Sequence, residues 1–409
     1  MKAMLKQDIV REATRLTRAG RLVEATVLLQ RMLRGENAPG ATFGTAGEIA
    51  LTRREPPIID AKANIIEETY RPHSRVTSAQ PHVLRDELLH RKKGRYRVGL
   101  RAKTKRAPPS TPDILPEGAR FIEGTYSNPA GSRAYRLFIP SRYQGQPLPL
   151  VLMLHGCNQS PDDFAAGTRM NFIAEEQTCF VGYPAQRSEA NQAKCWNWFR
   201  TADQQRDRGE PSLIAGITRQ IMRDYSIDPK RVYVGGMSAG AAAAAIMGTT
   251  YHDLYAAIGI HSGLACGAAT DLPSAFVAMR QGGLAASLGS SDRIILTDGP
   301  TVPTILFHGD RDLTVHPSNS DHILAQSMRT TSTQKKVRRG RVPGGHAYTR
   351  TIHTDASGRV IFEHWNIHGA GHAWSGGNPA GSYTDPRGPD ATREMMRFFL
   401  GHSLPQQPG

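Results

Sequence analysis

The chain of 409 residues carries 51 Lys/Arg against 36 Asp/Glu, a formal net charge of +15, with 39% hydrophobic and 21% charged residues. That balance is ordinary for a globular protein, and no apolar run approaches the roughly 18 residues of a membrane-spanning helix. The charge is uneven: residues 1–110 hold 23 of the basic and 11 of the acidic side chains, so the positive field belongs to the N-terminal part.

At the start, MKAMLKQDIVREATR is interrupted by Asp8, Arg11 and Glu12 before any apolar stretch forms. This predicts no secretory leader and a cytoplasmic location. Residues 8–33 show helical periodicity broken at Gly20, with Ile9, Leu16, Leu22, Val23, Leu29 and Leu33 on one side. A helical hairpin over residues 1–35 is expected. One helix pair cannot bury its own face, so it must dock on the rest of the chain, on a second subunit, on a protein partner or on an apolar granule surface. Residues 36–112 are Gly-, Pro- and charge-rich and read as a basic, poorly ordered linker. Its run from Arg91 to Arg106 has only Tyr96 interleaved with the charge, which speaks against a nucleic-acid partner.

From residue 113 to about 404 the pattern changes. FIEGTYSNPAGSRAYRLFIP reads as an antiparallel hairpin, and LPLVLMLHGC as a central strand buried on both faces. TCFVGYP, RVYVGG, YAAIGIHSG, PTILFHG and VIFEHWNIHG continue the strands. Helices are expected over 161–177, 211–226, 239–250, 319–329 and 390–401. Strands alternating with helices give a doubly wound, mostly parallel α/β sheet, with the site at the carboxyl ends of the strands.

The stretch RVYVGGMSAGAAAAAI places Ser238 where a strand turns into a helix, flanked by Gly236 and Gly240. This is the G-x-S-x-G nucleophile elbow, in which the glycines let strand and helix pass closely while the serine hydroxyl is pushed out above the sheet. A serine hydroxyl needs a base, and the base needs a third group to orient its ring. For the acid, the loop after PTILFHG offers Asp310 and Asp312, and the position three residues past the glycine favours Asp312. For the base, NIHGAGH offers His368 and His372; His372 lies in the glycine-rich loop, where a ring can swing over the elbow. His155 and His308 read as structural histidines that fix loops. Backbone N–H groups of Ala239 and Cys157 are the expected oxyanion donors. Trp374, Trp196 and Trp198 are candidates for the substrate pocket, and Trp365 for the core. The cysteines Cys157, Cys179, Cys195 and Cys266 lack the spacing of a zinc site, so no metal is expected, and reduced thiols are expected in a cytoplasmic chain.

Taken together, LHGCNQ, FVGYPAQ, KCWNWF, GGMSAG, FHGDRDLTVHP, HGAGHAWSGG and SYTDPRGPDATREMMRFF resemble the polyhydroxybutyrate (PHB) depolymerase family of esterases, related to feruloyl and acetyl xylan esterases. The resemblance spans roughly residues 115–402. It implies an α/β-hydrolase fold and a serine carboxylic ester hydrolase without a cofactor, acting on polyhydroxyalkanoate oligomers, amorphous polymer or short acyl esters. The family's nucleophile, acid and base fall on Ser238, Asp312 and His372, and its oxyanion loop on Gly156 and Cys157. Secreted members make secretion the alternative location. Attack on crystalline polymer is not expected, since the chain stops soon after its last helix. The rival readings are a feruloyl or acetyl xylan esterase, and a granule- or partner-binding protein built on an inactive hydrolase scaffold.

Overall fold

The computed structural model describes residues 66–67, 114–282, 302–328 and 333–405. The helical hairpin expected over 1–35 lies outside them, as does the expected linker apart from residues 66–67. Every described element lies within the compact unit Lys62–Gly409.

The strands in chain order are β1 (Ile66–Glu67), β2 (Arg120–Asn128), β3 (Gly131–Ile139), β4 (Leu148–Leu154), β5 (Phe180–Pro184), β6 (Ile227–Met237), β7 (Ala257–His261), β8 (Thr304–Gly309), β9 (Gln334–Arg341), β10 (Ala347–Thr354) and β11 (Val360–His368). They form one eleven-stranded sheet in the order β1-β9-β10-β11-β8-β7-β6-β4-β5-β3-β2. From β5 to β11 the neighbours are parallel, and antiparallel hairpins flank them at both edges. The short β1, within the stretch expected as linker, pairs in parallel with β9.

The parallel strands are apolar on both faces because both faces are covered. Leu150, Leu152, Leu154, Val232, Val234, Ile258, Ile260 and Leu306 enter one buried cluster, while Val151, Met153, Tyr233, Ala257, Ile305 and Phe307 enter the other. The period-2 alternation of side chains thus feeds two separate cores. The first lies under α3 (Gly209–Asp224) and α4 (Ala239–Thr250), through Ile214, Ile217 and the alanines of α4. The second lies under α1 (Pro161–Thr168), α2 (Met170–Gln177) and α7 (Ala391–Leu400), through Phe164, Met170, Met395 and Phe399.

Three departures from the sequence reading have local causes. The single helix expected over 161–177 is broken at Arg169, whose backbone is left-handed (φ 53°, ψ 27°) and whose guanidinium lies 3.8 Å from the Phe172 ring centroid. An unexpected helix, α5 (Leu272–Gln281), starts at a capping box: the Asp271 carboxylate accepts the Ser274 N–H at 2.8 Å. The β9–β10 hairpin is built from QKKVRRGR and AYTRTIHT, whose half-exposed faces carry little apolar alternation. A further helix, α6 (Asn319–Ser327), follows β8, and a small parallel pair, β12 (Trp374–Ser375) and β13 (Thr384–Asp385), lies after β11.

Candidate active site

Strand β6 runs directly into Ser238, whose backbone sits at φ 55°, ψ −120°. Such a conformation costs an L-residue on the order of 1–3 kcal/mol and persists only where the surroundings enforce it. Here the Ser238 N–H donates to His261 O at 2.9 Å, and the Ser238 carbonyl accepts the Ala242 N–H at 3.0 Å. A Cβ on Gly236 would lie 2.5 Å from Leu154 O, and one on Gly240 would collide with Leu154 O and His155 O. Both glycines are therefore demanded by the close passage of β4 beneath the elbow.

The register of the parallel strands lines up the ends that carry the other candidates. Met237 pairs with His261, His261 with Phe307, and His308 with Asn366. Three residues past Gly309, Asp312 is fully buried at its side chain, with both carboxylate oxygens hydrogen-bonded. Its Oδ1 accepts the Thr314 and Val315 N–H groups at 2.9 Å each, and its Oδ2 accepts His372 Nδ1–H at 2.7 Å. His308 Nε2 lies 3.4 Å from the same Oδ2. Burial alone would raise this carboxyl, but the hydrogen bonds from His308, His372 and the Val315 amide outweigh it and hold the group well below the usual carboxylate range. With Nδ1–H committed to Asp312, the neutral His372 ring keeps Nε2 as an acceptor.

The alternatives offered by the sequence form a second, separate pair. Asp310 Oδ2 accepts His368 Nδ1–H at 2.9 Å, Asp310 Oδ1 accepts the Gly369 N–H at 2.7 Å, and His368 Nε2 meets Thr349 Oγ1 at 2.9 Å. This pair is 41% and 35% exposed at its side chains, whereas His372 is 11% exposed. His308 is buried between Val315 O and Ser320 Oγ, each at 2.9 Å.

Sequence reasoning missed His261. Its carbonyl holds Ser238, and its Nε2 accepts the Ser375 N–H at 3.0 Å, from the loop that carries His372. The ring stacks on Trp374 at 4.9 Å between centroids. Burial pushes its pKa down to about 3, so it stays neutral. This residue links Ser238 to the loop that carries His372; among the described residues Ser238 and His372 share no direct hydrogen bond. The available signal was a histidine closing a buried strand, in IGIHSG.

The loop after β4 is held from several sides. His155 donates from Nδ1 to Gly156 O at 2.8 Å and accepts the Gln186 N–H at Nε2 at 3.1 Å; burial lowers its pKa to about 4. The Gly156 N–H donates to Gln159 Oε1 at 2.9 Å, and Gln159 Nε2 reaches Asp163 Oδ2 at 2.9 Å and Ser382 O at 3.1 Å. Among the described residues the Cys157 N–H has no acceptor, and the Ala239 N–H, at the first position of α4, has none within its own helix.

The expectation of reduced thiols is corrected for two of the four cysteines. Cys157 and Cys195 form a disulfide with Cα atoms 4.2 Å apart, joining the loops that follow the adjacent strands β4 and β5. Neighbouring strand ends bring together cysteines 38 positions apart, a proximity that sequence spacing does not reveal. Cys179 and Cys266 are free and buried, and burial pushes both thiols up, that of Cys266 to about 12.

Above Ser238 opens a cavity of about 890 Å³ lined by Cys157, Trp198, Ala239, Leu264, Phe276 and Val315, among others. Of the tryptophans proposed for it, only Trp198 lines it. Trp196 and Trp374 are fully buried: Trp196 donates its indole N–H to His155 O at 3.1 Å, and Trp374 donates to Thr392 Oγ1 at 2.9 Å while packing edge-on against Phe164. Their aromatic surface supports the two loops from beneath instead of facing the cavity. Trp365 is core, as expected. Among the described residues no cluster of His, Cys, Asp or Glu could hold a metal ion, and no helix is long and apolar enough to cross a membrane.

The model of the family described as "Esterase PHB depolymerase" matches residues 133–341. Among curated proteins, poly(3-hydroxyalkanoate) depolymerase C of Paucimonas lemoignei is 31% identical over 252 residues, covering 60% of this chain and 59% of that protein. Poly(3-hydroxybutyrate) depolymerase of Ralstonia pickettii is 26% identical over 240 residues, covering 56% and 48%. Feruloyl esterase B of Neurospora crassa is 30% identical over 152 residues, covering 36% and 50%. The chain thus spans about half the length of the curated relatives it matches. Among solved structures, an acetyl xylan esterase from Aspergillus awamori superposes with a TM-score of 0.52 at 18% identity, over 69% of this chain and 99% of that one. The fold is that of the α/β-hydrolases, and the chain belongs to the PHB depolymerase family of esterases.

Proposed function

We propose that this member of the PHB depolymerase esterases hydrolyses carboxylic esters through an acyl-enzyme formed on Ser238, with residues 113–404 as the catalytic domain. The observation that carries the reading is the strained Ser238 backbone at the end of β6, together with a part-buried Asp312–His372 hydrogen bond of 2.7 Å. His372 Nε2 takes the proton of Ser238 as Oγ attacks the ester carbonyl, and Asp312 stabilises the resulting imidazolium. The amides of Ala239 and Cys157 receive the oxyanion. Collapse expels the alcohol, which takes the proton from Nε2. Water then attacks the acyl-enzyme with His372 again as base, so that ester and water give acid and alcohol.

Relatives named as depolymerases support hydroxyalkanoate oligomers, amorphous polymer or short acyl esters as substrates; relatives named as feruloyl and acetyl xylan esterases support the rival substrates. The Cys157–Cys195 bridge favours an oxidising compartment over the cytoplasmic location read from the N-terminus. The test compares wild type with Ser238→Ala on p-nitrophenyl acetate, butyrate and octanoate, 3-hydroxybutyrate oligomers, methyl ferulate and acetylated xylan. Loss of several orders of magnitude in the variant is expected. A variant as active as wild type would sink the reading, and activity on the sugar or feruloyl esters alone would move the substrate to the rival class.

A further inference from the structure

The cavity above Ser238 has a mixed lining. Leu264, Leu272, Phe276, Met279 and Val315 contribute apolar surface, while the loop after β5 and the turn that follows bring Asn191, Gln192, Arg200 and Thr201 to the same space. Arg200 is the one basic side chain among the described residues that line it. Two acids also line it, and both are engaged elsewhere. Glu189 pairs with Arg187 at 3.4 Å, and Asp271 caps α5 by accepting the Ser274 N–H at 2.8 Å. Arg200 is exposed and forms no ion pair among the described residues; its charge is felt by the buried Asp203, whose Oδ1 already accepts the Glu210 N–H at 2.7 Å.

The backbone that carries Arg200 is anchored from below. Its N–H donates to Asn197 O and its carbonyl accepts the Asp203 N–H, both at 2.9 Å. Asn197 in turn is gripped by the buried Glu210 carboxylate, through its N–H at 2.7 Å and its side-chain amide at 2.8 Å. Glu210 also pairs with the buried Arg133 at 3.3 Å and bonds Gln186. A cation on a fixed backbone, lining the same cavity as Ser238 and without an ion-pair partner among the described residues, suits a substrate that brings its own anion.

We infer that Arg200 recognises a free carboxylate on the substrate, so that the cavity favours esters ending in a carboxylate, such as short oligomers of hydroxy acids, over neutral esters of the same size. The inference rests on the ester-hydrolase reading and narrows its substrate class: an oligomer presents one carboxylate for every few ester bonds, a polymer one for very many.

The experiment measures kcat/KM for the 3-hydroxybutyrate dimer and for its methyl ester, with p-nitrophenyl butyrate as a general ester, on wild type, Arg200→Gln and Arg200→Lys. Each is run at 50 and 500 mM NaCl, with a thermal melt to establish that the variants fold. Wild type is expected to prefer the free acid about threefold to fivefold at low salt, the upper size of one exposed charge-assisted contact. That preference should shrink at high salt, fall to near unity in Arg200→Gln and be partly kept by Arg200→Lys. Equal rates on acid and methyl ester in an active wild type, or an undiminished preference in folded Arg200→Gln, overturn the assignment of Arg200 and leave the hydrolase reading standing. No hydrolysis of any of the three compounds by wild type overturns the hydrolase reading and the inference with it.

Discussion

Replacing Asp312 with Asn tests the proposed catalytic geometry at its most constrained atom. The Thr314 and Val315 amides fix Oδ1 as an acceptor, so an Asn must keep its carbonyl oxygen on that side. Its NH2 then faces His372 Nδ1 and His308. Two donors cannot share that contact, so His372 must accept at Nδ1 and carry its proton on Nε2, the nitrogen that should receive the Ser238 proton. The base is then blocked while the cavity and the oxyanion amides are untouched. We expect kcat to fall about 10⁴-fold with KM little changed, equivalent to about 5 kcal/mol of transition-state stabilisation. The assay is p-nitrophenyl butyrate hydrolysis from pH 6 to 9, beside a thermal melt. Asp310→Asn is the control, because it makes the same chemical change in the more exposed pair with His368; it should cost less than about tenfold. The reasoning fails if folded Asp312→Asn stays within tenfold of wild type, or if Asp310→Asn loses more.

Gly240→Ala forces a methyl group onto Leu154 O and His155 O, so we expect a loss of at least about 1–3 kcal/mol by denaturant melt and a depressed kcat as the oxyanion loop shifts; an unchanged midpoint would contradict the close passage of β4. Opening the Cys157–Cys195 bridge by Cys195→Ser releases a loop of 38 residues, for which chain entropy gives up to about 4 kcal/mol; equal melting midpoints for variant and wild type would refute a stabilising role. Stability should also fall with pH. His155 and His261, buried and neutral with pKa values near 4 and 3, and His364, likewise near 3, are all depressed below the 6.5 of an unfolded chain. Between about pH 6.5 and 4 the unfolded state therefore binds more protons than the native one. Each group then removes up to about 1.4 kcal/mol per pH unit as the pH drops, and urea melts at pH 7, 6, 5 and 4 measure the slope. A flat profile from pH 7 to 5 would show that these rings are not held neutral.

The central strands are readable because a parallel strand covered on both faces is an unbroken apolar run, as in LPLVLML and TILFHG, and the elbow because G-x-S-x-G encodes its own backbone collision. What stays hidden depends on contacts distant in sequence or on elements with little apolar signal. The β9–β10 hairpin lies at a polar sheet edge, and α5 announces itself only through the Asp271–Ser274 cap. His261 works through its carbonyl and through an amide 114 positions away, which no local pattern reports. Trp374 reads as pocket because it lies two residues from His372, yet β12 turns its ring inward onto His261 and Phe164. Sequence proximity to a functional residue says little about facing in a loop that pairs as a strand.

The alanines of α4 have a thermal consequence. From Ala241 to Ala245 the helix that mounts Ser238 is buried, and none of these side chains has a rotamer to choose. Longer residues at those positions would each lose on the order of 0.5–2 kcal/mol of side-chain freedom on folding, a loss that grows with temperature. The mount of the serine is thus nearly athermal in its side chains. Warming should loosen the cavity walls, with their long polar residues, well before it blurs the position of Ser238.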